Sequence, residues 1–198
     1  MSLSVLMALF SFAFVTTVTP GPNNLMLMAS GANFGFRKTL PHMVGIVIGL
    51  AMLTLLAGIG LMALFDAFPV LRLILEILSV GYLLWLAWKV ATAAPLKETT
   101  DTGRPMTLLQ AATFQWVNPK AWAMGLSAIT IYAPDRSLLS VTLVAAILAI
   151  VCFPSISVWA WLGTVVRQWL SSHRRRQAFN ITMAALLVGS LYPVLTAF

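Results

Sequence analysis

Thr19-Pro20-Gly21-Pro22-Asn23-Asn24 stands in the middle of an uncharged, apolar run that extends from Leu3 to Phe36. That run is 34 residues long, about 51 Å as an α-helix, against a bilayer hydrocarbon core of about 30 Å. One straight crossing cannot use all of it. Pro20 and Pro22 have no N–H to donate, and each pushes the residue before it out of the α region. The spacing therefore predicts a helix that stops at Thr19 and restarts beyond Pro22, with Asn23 as the N-cap of the second piece. The run lacks a basic n-region and a small-residue cleavage site at the right distance, so it reads as a span and not as a cleaved signal peptide.

The rest of the chain confirms the setting. Of its 198 residues 60% are hydrophobic and 9% charged, with a mean hydropathy of +0.94; soluble domains carry about a quarter charged residues. A large soluble domain is excluded. Further apolar runs cover roughly Leu40 to Phe65, Phe68 to Trp88, Met106 to Pro134, Leu138 to Val166 and Ala178 to Phe198. The expected fold is an all-α polytopic membrane protein with six transmembrane helices. The single cysteine, Cys152, lies inside an apolar run, which excludes an internal disulfide, a CxxC redox pair and a thiolate metal cluster.

Charge is scarce enough that its placement carries information. Nine of the twelve Lys and Arg fall in the first, third and fifth connectors: Arg37 and Lys38; Lys89, Lys97 and Arg104; Arg167 and Arg174 to Arg176. The second and fourth connectors hold only Arg72 and Arg136. An excess of Lys and Arg marks the cytoplasmic side, so both termini are expected outside. The same rule accounts for the net charge of +7 without nucleic acid. Trp85, Trp88 and Trp169, beside the basic connectors, fit an interfacial belt. His42 and His173 flank span boundaries and read as interfacial too.

The fourth run repeats the message of the first. Met106 to Pro134 is centred on Lys120, within Gln115-Trp116-Val117-Asn118-Pro119-Lys120. Asn118 followed by Pro119 reads as N-cap and N1, the opening of a helix in the middle of a span. Spans one and four hold the same place in halves that run in opposite directions, the pattern of a 3+3 inverted-repeat transporter with its site between two broken helices. The expected organisation is a first three-helix half at 1–93, a cytoplasmic linker at 94–106 and a second half at 107–198.

Lys120 adds chemistry to the second break. A lysine at bilayer depth costs about 2.5 to 3.5 kcal/mol on insertion scales, which points to function. At the second residue of a restarted helix its ammonium joins free backbone N–H groups, a doubly positive spot that suits a carboxylate. Snorkelling to an interface and pairing with Glu76 are alternative roles. Glu76 also has Arg72 one turn earlier as a local partner. Glu76 and Gln115 are therefore candidates for a coupling or pathway role, with an interhelical hydrogen bond the plainer reading of Gln115. Gly45-Ile46-Val47-Ile48-Gly49 carries GxxxG spacing, which serves packing within the chain more often than a dimer; a homodimer stays open.

At Thr19-Pro20-Gly21-Pro22-Asn23-Asn24 and Asn118-Pro119-Lys120-Ala121 the chain resembles the LysE/RhtB family of bacterial amino-acid exporters over essentially its whole length. The doubled asparagine and Tyr82-Leu83-Leu84-Trp85-Leu86-Ala87-Trp88-Lys89 are most similar to the branch that includes cysteine/O-acetylserine exporters. The third span departs from the family's Gly-x-x-Tyr-Leu, with Ser79 in the glycine position. The resemblance implies secondary active export of a small neutral amino acid or derivative, of cysteine/O-acetylserine or homoserine/threonine type, with proton antiport as the drive. It implies site roles for Pro20, Gly21, Pro22 and Asn23, and for Asn118, Pro119 and Lys120; Asn24 joins them from the residue reading. It implies no cofactor.

Three other classes fit the residues less well. An ion or metal exporter lacks intramembrane Asp, Cys pairs and a His pair as ligands, so no metal site is assigned. An intramembrane enzyme lacks paired catalytic groups at depth. A non-transporting accessory protein has no distinguishing motif and would show no substrate flux.

Overall fold

The computed structural model describes residues 2–61, 67–92, 104–170 and 172–192, and within them not the side chains of 61, 69, 72 and 76. Regular structure among these residues is helical throughout. The order is α1 (Leu3–Val18), α2 (Pro22–Phe34), α3 (Phe36–Leu56) with a π-helical turn at Ala57–Leu61, and α4 (Pro69–Ala91). There follow α5 (Leu108–Phe114), a 3-10 turn at Gln115–Val117, α6 (Pro119–Tyr132), α7 (Leu138–Trp169) and α8 (His173–Gly189).

Both expected breaks are present. Phe36–Gly60, Leu73–Ala91 and Leu138–Trp169 are each long and apolar enough to cross a bilayer, and α1 with α2, bent by 56°, makes a fourth candidate. The first half of the fourth expected span is the seven-residue α5 with its 3-10 turn, and the second half is the 14-residue α6. The end of the second expected span and most of the 94–106 linker lie outside the described residues.

Helix starts follow local chemistry. Ser2, Thr107, Ser137 and Ser172 each accept a backbone N–H of the first turn through the side-chain hydroxyl, which supplies an acceptor for an otherwise orphaned donor. Ser172 also explains one correction. The last helix starts at His173, not Ala178, with the arginine run inside its first turns. Arg176 Nε donates to the Leu170 carbonyl at 2.7 Å and Arg175 Nη1 to that of Trp169 at 3.4 Å. The cations thus reach back to the C-terminus of α7, the end of a helix that favours positive charge.

Packing centres on α7, which touches α1, α2, α3 and α6. In a bilayer, helices associate through close backbone approach, because lipid tails are as apolar as leucine. A methyl added at Gly31 of α2 would collide with the Ala160 carbonyl of α7, and one at Gly163 would collide with Met28. Gly45 and Gly49 of α3 are closed in the same way by Leu108 and Ala112 of α5. The GxxxG face is therefore an internal contact. A second cluster joins Leu83, Leu86 and Ala87 of α4 to Met183, Ala184 and Leu187 of α8. Met26 and Ala29 of α2 belong to this cluster while Leu27 faces the first, so α2 stands between the two.

Candidate functional site at the two helix breaks

The break after α1 leaves a short extended segment. Thr19 is extended, Gly21 is fully extended, and Pro22 opens α2 at its first position with Gly21 as N-cap. Asn23 is therefore not the cap; the fixed φ of Pro22 suits the first helical position and moves the start one residue earlier. The second break follows the sequence reading closely. Asn118 caps α6, its Oδ1 accepting from the Lys120 N–H at 3.1 Å, and Pro119 takes the first position.

The end of α1 exposes carbonyls that need donors, and within a bilayer such backbone must be satisfied by protein or by a wet cavity. Asn24 Nδ2 donates to the carbonyls of Thr17 at 2.8 Å and Thr19 at 2.7 Å. Trp159 Nε1 of α7 donates to that of Val18 at 2.9 Å. The Lys120 ammonium donates to the Thr19 carbonyl at 2.6 Å, to Thr19 Oγ1 at 2.9 Å and to the Pro20 carbonyl at 3.3 Å. A Cβ at Gly21 would lie 2.7 Å from Lys120 Cδ, so the glycine makes room for the lysine stem.

The sequence places the lysine at the unfavourable end of α6; the fold brings its ammonium to the favourable end of α1. The ammonium occupies an oxygen cradle built by the other break. Glu76 lies on α4, and its side chain is outside the described residues.

A second link joins the breaks. Asn23 Nδ2 donates to Gln115 Oε1 at 2.8 Å and Gln115 Nε2 donates back to Asn23 Oδ1 at 3.1 Å. Gln115 is fully buried, and its Nε2 also donates to the Ala111 carbonyl at 2.9 Å. Asn118 Nδ2 reaches Gln115 Oε1 at 3.4 Å. Pro20, Gly21, Pro22, Asn23, Asn24, Gln115, Asn118, Pro119 and Lys120 thus form one constellation around two facing breaks. Sequence reasoning missed Thr19 and Trp159. The isolated tryptophan carries no motif, and its role depends on α7 passing the end of α1.

Between the breaks lies a cavity of about 20 Å³, walled in part by Thr16, Leu50, Met124, Cys152 and Ile156. That is room for about one water molecule. A larger cavity of about 490 Å³ opens where the ends of α2 and α4 meet the start of α5, with Lys89 and Arg104 on its wall. His42 also borders it. It is 1% exposed, buried within the protein, and its two ring nitrogens have no hydrogen-bond partner among the described residues. Ser79 is buried and bonded to the Leu75 carbonyl at 2.6 Å, and nearby Tyr82 still packs closely, its ring 5.3 Å from those of Phe114 and Trp85.

Residues 14–190 match the model of the LysE type translocator family. The chain belongs to this family. It is 31% identical over 192 residues to the cysteine/O-acetylserine efflux proteins of Escherichia coli (strain K12) and Shigella sonnei (strain Ss046), covering 95% of this chain and 96% of each relative. The cysteine/O-acetylserine efflux protein of Shigella flexneri serotype 5b (strain 8401) is 31% identical over 188 residues, 93% of this chain and 94% of that one. No solved structure matches. The family is one of translocators, not enzymes, and the chain is a multi-pass membrane protein.

Proposed function

We propose that this LysE-type chain is a secondary active exporter of a small neutral amino acid or derivative, of the cysteine, O-acetylserine, homoserine or threonine type. The observation that carries this reading is the Lys120 ammonium on the Thr19 and Pro20 carbonyls. An α-ammonium group has the same charge and the same three donors as that lysine head. The cradle at the end of α1 is thus a ready-made site for the ammonium of an amino acid. Displaced from it, Lys120 and the N–H groups at the start of α6 take the carboxylate. Efflux of cysteine and O-acetylserine by the relatives supports the substrate class.

The size of the space between the breaks supports a moving mechanism. A cavity of about 20 Å³ admits no amino acid, so binding requires the two breaks to part. In the proposed cycle the six helices form two three-helix halves, 1–93 and 107–198, joined by the 94–106 linker. They rock about the site to expose it alternately to the two sides. The basic helix ends face the cytoplasm, both termini face the periplasm, and proton entry drives export. Among the described residues no group of three His, Cys, Asp or Glu is placed to hold a metal ion.

The test is counterflow in proteoliposomes with cysteine, O-acetylserine, homoserine and threonine, with and without a pH gradient. Accumulation of at least one of them, enhanced by the gradient, is expected. Flux of none would remove the reading.

A further inference from the structure

The two cavities are stacked along the same two segments. On α2, Asn23 and Asn24 border the small cavity, and Met26, Ala29 and Asn33 border the large one. From Asn23 to Met26 is less than one helical turn, about 4.5 Å. On the other wall, Met106 and Gln110 border the large cavity, and Asn118 borders the small one. In sequence between Gln110 and Asn118 on that wall come Phe114, whose buried ring lies 5.3 Å from that of Tyr82 on the chamber wall, and Gln115, which is paired reciprocally with Asn23 of the small cavity's lining.

The larger chamber has the chemistry of a zwitterion site. Lys89 supplies a cation on one wall, its Nζ 4.4 Å from the centre of the Trp85 ring. Asn33 Nδ2 donates to the Ala29 carbonyl at 2.8 Å, whereas its Oδ1 has no partner among the described residues and remains an acceptor. A volume of about 490 Å³ falls in the range of small-molecule sites, about 300 to 1,000 Å³. An amide pair in that place is suited to part for a substrate, since each amide can recover its hydrogen bonds from an amino acid or from water.

We propose that this chamber is the loading site at which the amino-acid zwitterion first binds from the basic side, and that the Asn23–Gln115 pair is the gate between it and the helix breaks. The inference rests on the exporter reading. The carboxylate meets Lys89, and the ammonium meets Asn33 Oδ1 and the aromatic wall. The substrate waits there until the amide pair parts.

The test uses inside-out membrane vesicles and a membrane-impermeant thiol reagent. Asn33→Cys, or Thr92→Cys at the rim, supplies the target, and the parent chain with its buried Cys152 supplies the blank. Millimolar O-acetylserine should slow modification at least about threefold, both with Lys120 present and in Lys120→Met, where the break site is disabled. Protection that disappears with Lys120→Met would mean that the ligand acts from the breaks, and would overturn the chamber. For the gate, tested in a Cys152→Ala background because Cys152 borders the same small cavity, Gln115→Leu should raise the reactivity of Thr16→Cys at least about fivefold; an unchanged rate overturns that role. Export by the parent chain with no protection in either background overturns the chamber alone. Absence of export of any amino acid by the parent overturns the reading beneath it.

Discussion

The Lys120 ammonium lies 2.6 Å from the Thr19 carbonyl, a bond between residues 101 positions apart that ties the start of the restarted helix α6 to the end of α1. It resolves an electrostatic conflict. An ammonium at the second position of α6 meets the positive end of that helix, and the fold answers by delivering it to the negative end of α1. One side chain thereby completes one break and marks the other as its partner.

Removing that ammonium should cost transport more than folding. Lys120→Met keeps the apolar stem against Gly21 and deletes three donors. Hydrogen bonds to charged groups are worth about 1.5 to 3 kcal/mol, so export per transporter should fall about 10- to 100-fold. Counterflow normalised to membrane abundance reads the effect; export at the parent rate would dismiss the lysine from the site.

Asn24→Ala should act chiefly on stability. The residue is 2% exposed and its Nδ2 serves two carbonyls. A buried acceptor left without a donor costs about 1 to 3 kcal/mol. A lower thermal midpoint in detergent is expected, with Asn24→Asp lower still because a carboxylate would face carbonyl oxygens.

Trp159→Phe isolates one bond, the 2.9 Å contact from the indole to the Val18 carbonyl, while keeping an aromatic ring against the core. A loss of about 1 kcal/mol is expected. Thermal unfolding of the purified protein measures it.

Gly49→Ala should lower the amount of folded protein in the membrane, because its methyl would meet the Ala112 backbone and Gln115 Cγ. It should not change oligomeric state, since that face is filled by α5. Size-exclusion chromatography with light scattering checks the second half of this expectation, and a shift in mass would return the GxxxG pair to an intermolecular role.

Asp135, in the connector between α6 and α7, offers a pH-dependent test outside the membrane. Hydrogen bonds from the Ser140 and then the Ser137 side chain hold its carboxyl below the ordinary value of 3.8. A depressed folded value contributes stability that is present above the unfolded value and is lost as pH falls through the folded one, here in the acid range below about 4. Ser140→Ala removes the leading cause, a 2.6 Å bond, and should raise the titration midpoint toward 3.8, followed by carboxyl-detected NMR.

Sequence alone determined the elements that covalent chemistry and bilayer thickness constrain. Proline cannot donate, so Pro20, Pro22 and Pro119 fixed both breaks. The Asn118-Pro119 pair fixed a helix start almost to the residue. The scarcity of charge placed the chain in a membrane, and Lys120 stood out because ammonium groups are costly there. What it left open were contacts across the chain. Periodicity says nothing of which distant carbonyl a long flexible side chain will reach, so Thr19 and Trp159 stayed invisible, as did the burial of His42. Only the tertiary structure, by laying α6 and α7 against the end of α1, decided that the lone lysine of one break closes the other.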